Sequence, residues 1–127
     1  MSDVTTRGIR IQVESRFVPE HSHPHAGQSI FLYTVRITNE GESTVQLISR
    51  HWIITDAHGK VEEVKGPGVV GEQPVLEPGE TFEYTSMCPL ETPYGTMEGT
   101  YQMQGPGEET FDAVIAPFFL SEPHSIN

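Results

Sequence analysis

The sequence predicts an all-β sandwich, on three observations. Apolar side chains alternate with polar ones in most segments, which is typical of half-buried strands. Turn chemistry is frequent, with 12 glycines and 10 prolines in 127 residues. No stretch of ten residues combines a period of 3.6 with helix caps. We expect a single domain over residues 1–127, with about seven antiparallel strands and an ordered core near residues 5–120.

The first two strands are predicted near residues 6–18 and 28–39. In each, every second residue is apolar and its neighbours are mostly polar, so one face turns inward. The inward residues are Ile9, Ile11 and Val13 in the first strand, and Phe31, Tyr33, Val35 and Ile37 in the second.

The third and fourth strands are predicted near residues 44–55 and 60–65, joined by the glycine-containing turn TDAHGK. The third strand changes face along its length, which a β-bulge near Ile48–Ser49 would explain. Trp52 lies in the middle of this strand, where immunoglobulin-like sandwiches often bury a tryptophan.

The last three strands are predicted near residues 79–88, 97–104 and 110–120. The Pro-Gly pairs of EPGE and GPGEE mark the turns that precede the first and the third of them, because proline fixes φ and glycine takes the left-handed position. The tail, residues 121–127, is predicted to fray.

Charge is divided unevenly along the chain, and the net charge is −11. Residues 1–65 hold all seven Lys and Arg against eight acids, whereas residues 66–127 hold ten acids and no Lys or Arg. A nucleic-acid binder needs a basic face, so we expect no nucleic-acid partner. There is no apolar run of membrane-spanning length and no secretory signal pattern. One cysteine cannot form an internal disulfide, so a cytoplasmic location is expected.

A glycine motif, G-x-G-x-x-G, is formed by Gly66, Gly68 and Gly71. In dinucleotide-binding proteins this spacing lies between a strand and a helix, whose N-terminus holds a pyrophosphate. Here Pro74 and Pro78 follow, and they rule out a helix of useful length. The motif is therefore interpreted as a turn with conformational glycines. A backbone nest that binds pyrophosphate, with Lys65 (and Lys60 and Arg50 nearby) supplying charge, is the alternative.

Three histidines alternate in EHSHPHAG, at His21, His23 and His25. Neutral imidazoles bind divalent transition metals, and residues two apart in an extended chain project to the same side. This segment is the candidate metal site, for Co²⁺ or Ni²⁺. The other interpretation is a solvated loop, since no cysteine or second histidine pair completes a tetrahedral set.

Catalysis has little support in the sequence, and we expect no catalytic residues and no cofactor. Cys88 precedes Pro89 without a histidine nearby, and free cysteine is usually a small buried hydrophobe. Phe118 and Phe119 are adjacent on a predicted strand, so one of them is expected to face outward unless another layer covers it. They are the candidate contact for a protein partner or a second copy of the chain.

Two long segments resemble the ApaG family of small bacterial proteins: LEPGETFEYTSMCPLETPYGTMEGTYQM, residues 76–103, and the central region over residues 39–76 with the glycine motif. The resemblance extends over about residues 5–120. It implies an immunoglobulin-like or fibronectin-III-like sandwich without an established enzymatic activity. It also implies a genetic association with cobalt resistance and magnesium efflux, and related domains of this family occur in eukaryotic F-box proteins.

Together these observations predict a non-catalytic binding module, acting through an unidentified protein partner and affecting divalent-cation balance indirectly. The alternative is a small-ligand module. It would bind a pyrophosphate-containing nucleotide at Gly66–Gly71 or a metal at His21–His25.

Overall fold

The computed structural model describes residues 1–122 and contains nine strands there, two more than the sequence predicts. The tail predicted to fray, residues 121–127, is still ordered at its start, since Ser121 pairs with Tyr94 and the amide of Glu122 donates to Pro93. Its residues 123–127 lie outside the described part. The strands are β1 (Ser2–Thr6), β2 (Ile9–Phe17), β3 (Ser29–Asn39), β4 (Val45–Asp56), β5 (Val61–Pro67), β6 (Val75–Leu76), β7 (Thr81–Leu90), β8 (Tyr94–Gln104) and β9 (Thr110–Ser121). Short 3₁₀ turns occur at Pro19–His21, Pro24–Ala26 and Pro106–Glu108.

The predicted count of seven strands is wrong at two places. The segment predicted as one strand over residues 6–18 is preceded by a separate strand, β1, and the two pair as a hairpin. Arg7 and Gly8 form its two-residue turn with φ of 48° and 85°, the geometry that matches the twist of flanking strands. The second addition, β6, has two residues and pairs with the start of β4.

Two antiparallel sheets form the sandwich, which confirms the predicted fold class. Their strand orders are β1-β2-β3-β7 and β5-β4-β8-β9, with β6 beside β4. The chain crosses between the sheets three times, after β3, after β6 and after β7. The bulge predicted near Ile48–Ser49 is confirmed, because the register between β4 and β8 shifts between Leu47 and Ser49.

Buried aromatic rings join the two sheets. Trp52 is 2% exposed and lies in β4, and its ring centroid is 5.3 Å from that of Tyr33 in β3 of the opposite sheet. Tyr101 and Phe118 pack edge-on against Trp52, at 6.1 and 6.0 Å. The hydroxyl of Tyr84 in β7 is hydrogen bonded to that of Tyr101 in β8. Burial raises the pKa of both phenols, so both stay protonated and either can donate.

A second bulge sets the orientation of the two phenylalanines. The register between β8 and β9 shifts between Met97 and Gly99, and Pro117 lies in the extra segment, where a missing N–H is tolerated. Phe118 consequently points into the core at 2% exposure, and Phe119 points outward at 73%. The expectation that one of the pair faces outward is confirmed.

The two flanks of the sandwich differ. On one flank β9 lies against β1 and β2: the amide of Val114 donates to Oγ1 of Thr6 at 3.2 Å, and Oγ of Ser15 donates to the carbonyl of Phe119 at 2.8 Å. On the other flank β5 and β7 end their sheets. Two adjoining cavities lie along that open flank.

We expect Tyr84→Phe to destabilise the protein by about 1–3 kcal/mol, because the fully buried hydroxyl of Tyr101 would lose its partner. Adding Tyr101→Phe should recover part of this loss, since neither hydroxyl then needs a partner. Urea unfolding of both single variants and the double variant measures the coupling. Additive losses would contradict a stabilising bond between the sheets.

Candidate functional site

A cleft of about 570 Å³ lies at one end of the open flank. Its walls come from the second 3₁₀ turn, the β4–β5 hairpin and the end of β7. They are formed by Ala26, Gly27, Gln28, Ile54, Asp56, Lys60, Val61, Glu62, Pro89, Leu90 and Glu91. We call it the outer cleft. The lining therefore comes from three segments that are far apart in the sequence.

A smaller cavity of about 250 Å³ adjoins the outer cleft and shares Ile54, Glu62 and Pro89 with it. Most of its other lining is apolar or aromatic, with a single cation. The remaining lining residues are Tyr33, Arg50, Trp52, Val64, Ser86, Met87, Cys88 and Met97. We call it the Arg50 pocket, and the two cavities together form the β5–β7 groove.

Glu62 and Glu63 lie on opposite faces of β5, as alternation along a strand requires. Glu62 lines both cavities and is exposed. Glu63 lies on the outer face, with its Oε1 2.7 Å from Nε2 of His51. These adjacent carboxylates therefore form a natural matched pair, one inside the groove and one outside it.

Arg50 connects the pocket to the glycine motif. Its Nη1 donates to the carbonyls of Pro67 at 2.9 Å and of Gly68 at 3.0 Å. The guanidinium lies against Gly66, where a Cβ would come within 3.1 Å of both terminal nitrogens. Gly66 thus leaves space for an arginine side chain.

The rest of the glycine motif is a tight hairpin. Val69 and Glu72 exchange backbone hydrogen bonds at 2.8 and 2.9 Å, and the amide of Gly68 donates to Ile48 at 2.8 Å. Gly68 has φ of 59°, and a Cβ there would be 2.2 Å from the carbonyl oxygen of Glu72. These three amides already have protein acceptors.

Lys65, the other residue of the predicted pyrophosphate site, is exposed on β5 and pairs across to His51. It therefore belongs to the outer face with Glu63, while Gly68 and Gly71 form the hairpin. Pyrophosphate binding at Lys65, Gly66, Gly68 and Gly71 stays a prediction.

His21, His23 and His25 are exposed, and the chain around them folds into two 3₁₀ turns rather than an extended segment. Ser22 between them is buried, donating to the carbonyl of Val18 at 2.7 Å and accepting from the amide of Ile30 at 2.9 Å. Residues 1–122 hold no group of three or more His, Cys, Asp or Glu side chains arranged for a metal ion. Metal binding at the three histidines stays a prediction.

Cys88 is a buried free thiol in the wall of the Arg50 pocket. Burial, and secondarily the charge of Glu62, raises the pKa of this thiol from 9.0 to about 12. A nucleophilic cysteine needs the opposite shift, so Cys88 in this state is inert.

Sequence reasoning identified the glycine motif but missed the groove. Arg50 carried a signal, since it lies two residues before Trp52 on the inward-facing side of β4. A charged residue among buried ones is more informative than an exposed apolar one.

A family model described as "ApaG domain" matches residues 19–105. The chain is 57% identical to "Protein ApaG" of Anaeromyxobacter dehalogenans over 100% of both chains, and 56% identical to that of Methylobacterium nodulans over 98% of this chain and 95% of the relative. The crystal structure of the ApaA protein from Bordetella pertussis superposes with a TM-score of 0.89 at 56% identity, covering 92% of this chain and 95% of that one.

We expect Gly68→Ala to destabilise the protein more than Gly71→Ala. Both positions have positive φ, which costs an alanine about 1–2 kcal/mol. Only at Gly68 would the added Cβ also collide with backbone, since nothing lies within 4 Å of the corresponding point at Gly71. Urea unfolding of the two variants gives the comparison, and equal losses would contradict the hairpin described above.

Native Cys88 should react with iodoacetamide at pH 8 about 10³-fold more slowly than the same thiol in urea, because the raised pKa removes the thiolate. The thiol's contribution to stability should be complete below pH 9.0 and lost as the pH rises toward about 12. Glu62→Gln should increase the native rate, and Glu63→Gln serves as the control. Equal rates in native and unfolded protein would contradict this prediction.

Proposed function

The chain belongs to the ApaG domain family, and on that premise we propose that it is a non-catalytic protein-interaction module. The partner contributes an extended segment that lies in the β5–β7 groove. Membership of the family accounts for the fold, and the proposed binding surface is built on that fold.

One observation carries the proposal: the sandwich is bonded along one flank and open along the other. The flank between β9 and β1–β2 is joined by side-chain hydrogen bonds to backbone. At the opposite flank two strand edges border a concave surface. An edge strand presents unpaired N–H and C=O groups, and an extended peptide can add to it as a further strand.

The charges along β5 favour a partner over a second copy of this chain. The outer cleft is lined by three acids, Asp56, Glu62 and Glu91, and by one cation, Lys60, whose Nζ is 3.9 Å from Oε2 of Glu91. Edge strands bearing charges and proline discourage self-pairing, because like charges would face each other. The segment that fits the outer cleft therefore carries basic side chains.

We propose that the protein affects cobalt and magnesium homeostasis indirectly, through its partner. We also propose a cytoplasmic location, and the free thiol of Cys88 fits a reducing compartment. Within residues 1–122, no helix has the length and hydropathy to span a membrane.

The predicted contact at the two phenylalanines remains a second proposal of partner binding. Phe118 packs against Trp52 in the core, so only Phe119 is available to a partner or a second copy. It lies on β9, in the sheet that includes β5 but at the opposite edge. A variant at Phe119 therefore separates the two surfaces.

A photo-crosslinking amino acid at Met87, which is 56% exposed at the groove, should capture a partner in cells that the same probe at Val114, on β9, does not. Glu62→Lys should weaken binding of that purified partner at least tenfold, because it reverses the charge inside the groove. Glu63→Lys is the matched control and should change binding less than twofold. Isothermal titration gives the affinities.

Three results would contradict the groove as the binding surface. They are the absence of a groove-specific partner, equal effects of the two glutamate substitutions, and loss of binding in Phe119→Ser while Glu62→Lys still binds. The last result would assign the contact to the β9 face instead.

A further inference from the structure

Arg50 is a cation whose charge the described chain leaves unpaired. Arg7, Arg10, Arg36 and Lys60 each pair with a carboxylate. Arg16, Lys65 and Arg50 form no ion pair within residues 1–122, but Arg16 and Lys65 are exposed, whereas Arg50 is half-buried and lines a cavity. A guanidinium removed from water without an anion is costly, and a ligand carboxylate would relieve that cost.

The side chain is fixed in place before any ligand arrives. Nη1 is held by the carbonyls of Pro67 and Gly68, and Gly66 supplies the space in which the guanidinium lies flat. One terminal nitrogen is therefore committed to the hairpin, which leaves the other N–H groups of the planar group for a ligand. A guanidinium held in this way loses little conformational freedom on binding a carboxylate.

The walls of the Arg50 pocket select which carboxylate fits. Trp52, Val64 and Met97 are apolar, and the hydroxyls are those of Tyr33 and Ser86. The one carboxylate of the lining, that of Glu62, is shared with the outer cleft, so the bound segment needs a basic side chain on that side. The carboxylate of an acidic side chain would pair with Arg50, but that side chain would not cover the apolar walls, which would stay exposed to water. The C-terminal residue of a protein brings a carboxylate and an apolar side chain from the same Cα, so it can satisfy both at once.

We propose that the Arg50 pocket binds the C-terminal carboxylate of a partner protein whose last residue is apolar. This inference rests on the proposed function, since it places the end of the bound segment. Upstream residues would run along β5 toward Glu62, four residues and about 13 Å from Gly66 at 3.3 Å per residue. The fourth residue from the end lies about 10 Å back at the same rise, so a long basic side chain there would reach Glu62.

The first test compares two forms of one peptide on the unmodified protein. Acetyl-Lys-Ser-Val-Leu with a free C-terminus should give saturable amide shifts at Arg50, Val64 and Ser86 in NMR titrations. Its C-terminal amide should bind at least tenfold more weakly, because the charge opposite Arg50 is lost. A third peptide, with aspartate in last place and an amidated end, measures whether a side-chain carboxylate suffices.

The second test changes the protein. Arg50→Gln should reduce affinity for the free acid to that of the amide, while Arg50→Lys should keep part of the difference because it retains charge. Arg36→Gln, whose side chain pairs with Glu83 on the other sheet, is the control and should bind as the unmodified protein does. If Arg50→Gln does not fold, comparing the free-acid and amidated peptides on the unmodified protein still tests whether the pocket binds a carboxylate.

Each outcome has a defined meaning. Equal affinity of acid and amide at the groove overturns the carboxylate pocket but supports the groove as a binding surface. Preference for the aspartate peptide overturns the C-terminal assignment. Absence of binding by every peptide at low-millimolar concentration overturns the pocket, and the crosslinking experiment then judges the proposed function independently.

Discussion

The contact between buried aromatic rings across the sandwich is the interaction on which the rest of the structure depends. Trp52 is in van der Waals or edge-on contact with rings from both sheets, and the Tyr84–Tyr101 hydrogen bond adds a polar link between them. Large rings fix the separation of two sheets more firmly than aliphatic side chains, because they have few rotamers and specific edge-on geometry. Trp52 also lines the Arg50 pocket, so the core and the candidate site share a residue.

The sequence predicted the parts of the fold that local pattern controls. The alternating residues Ile9, Ile11 and Val13 are buried as expected, and so are Val35 and Ile37. The bulge in β4 was also readable, because a change of face between Leu47 and Trp52 needs an extra residue. The β1–β2 hairpin was not, since Arg-Gly is a weaker turn signal than Asn-Gly or Asp-Gly. The groove could not be predicted at all, because Arg50, Glu62 and Ser86 meet only through the pairing and packing of three strands.

The glycine motif illustrates how one spacing serves different physical ends. In a strand–turn–helix unit the glycines expose N–H groups toward a phosphate. Here Gly68 and the hairpin it begins direct N–H groups into protein acceptors, and the carbonyls of Pro67 and Gly68 accept from a guanidinium. The loop therefore presents the opposite dipole to its neighbour. The glycine spacing allows another group to pack closely against the backbone. Whether that group is a phosphate or a guanidinium depends on the surrounding residues.

The bonded flank joins residues that are far apart in the chain: Thr6 meets Val114, and Ser15 meets Phe119. Loop-closure entropy opposes such distant pairs until the intervening strands are ordered. The sheet edge at β1 is consequently covered by β9 late in folding. The open flank stays uncovered in the native state. The edge strand β1, in contrast, is exposed to intermolecular pairing only in the folding chain, until β9 packs against it.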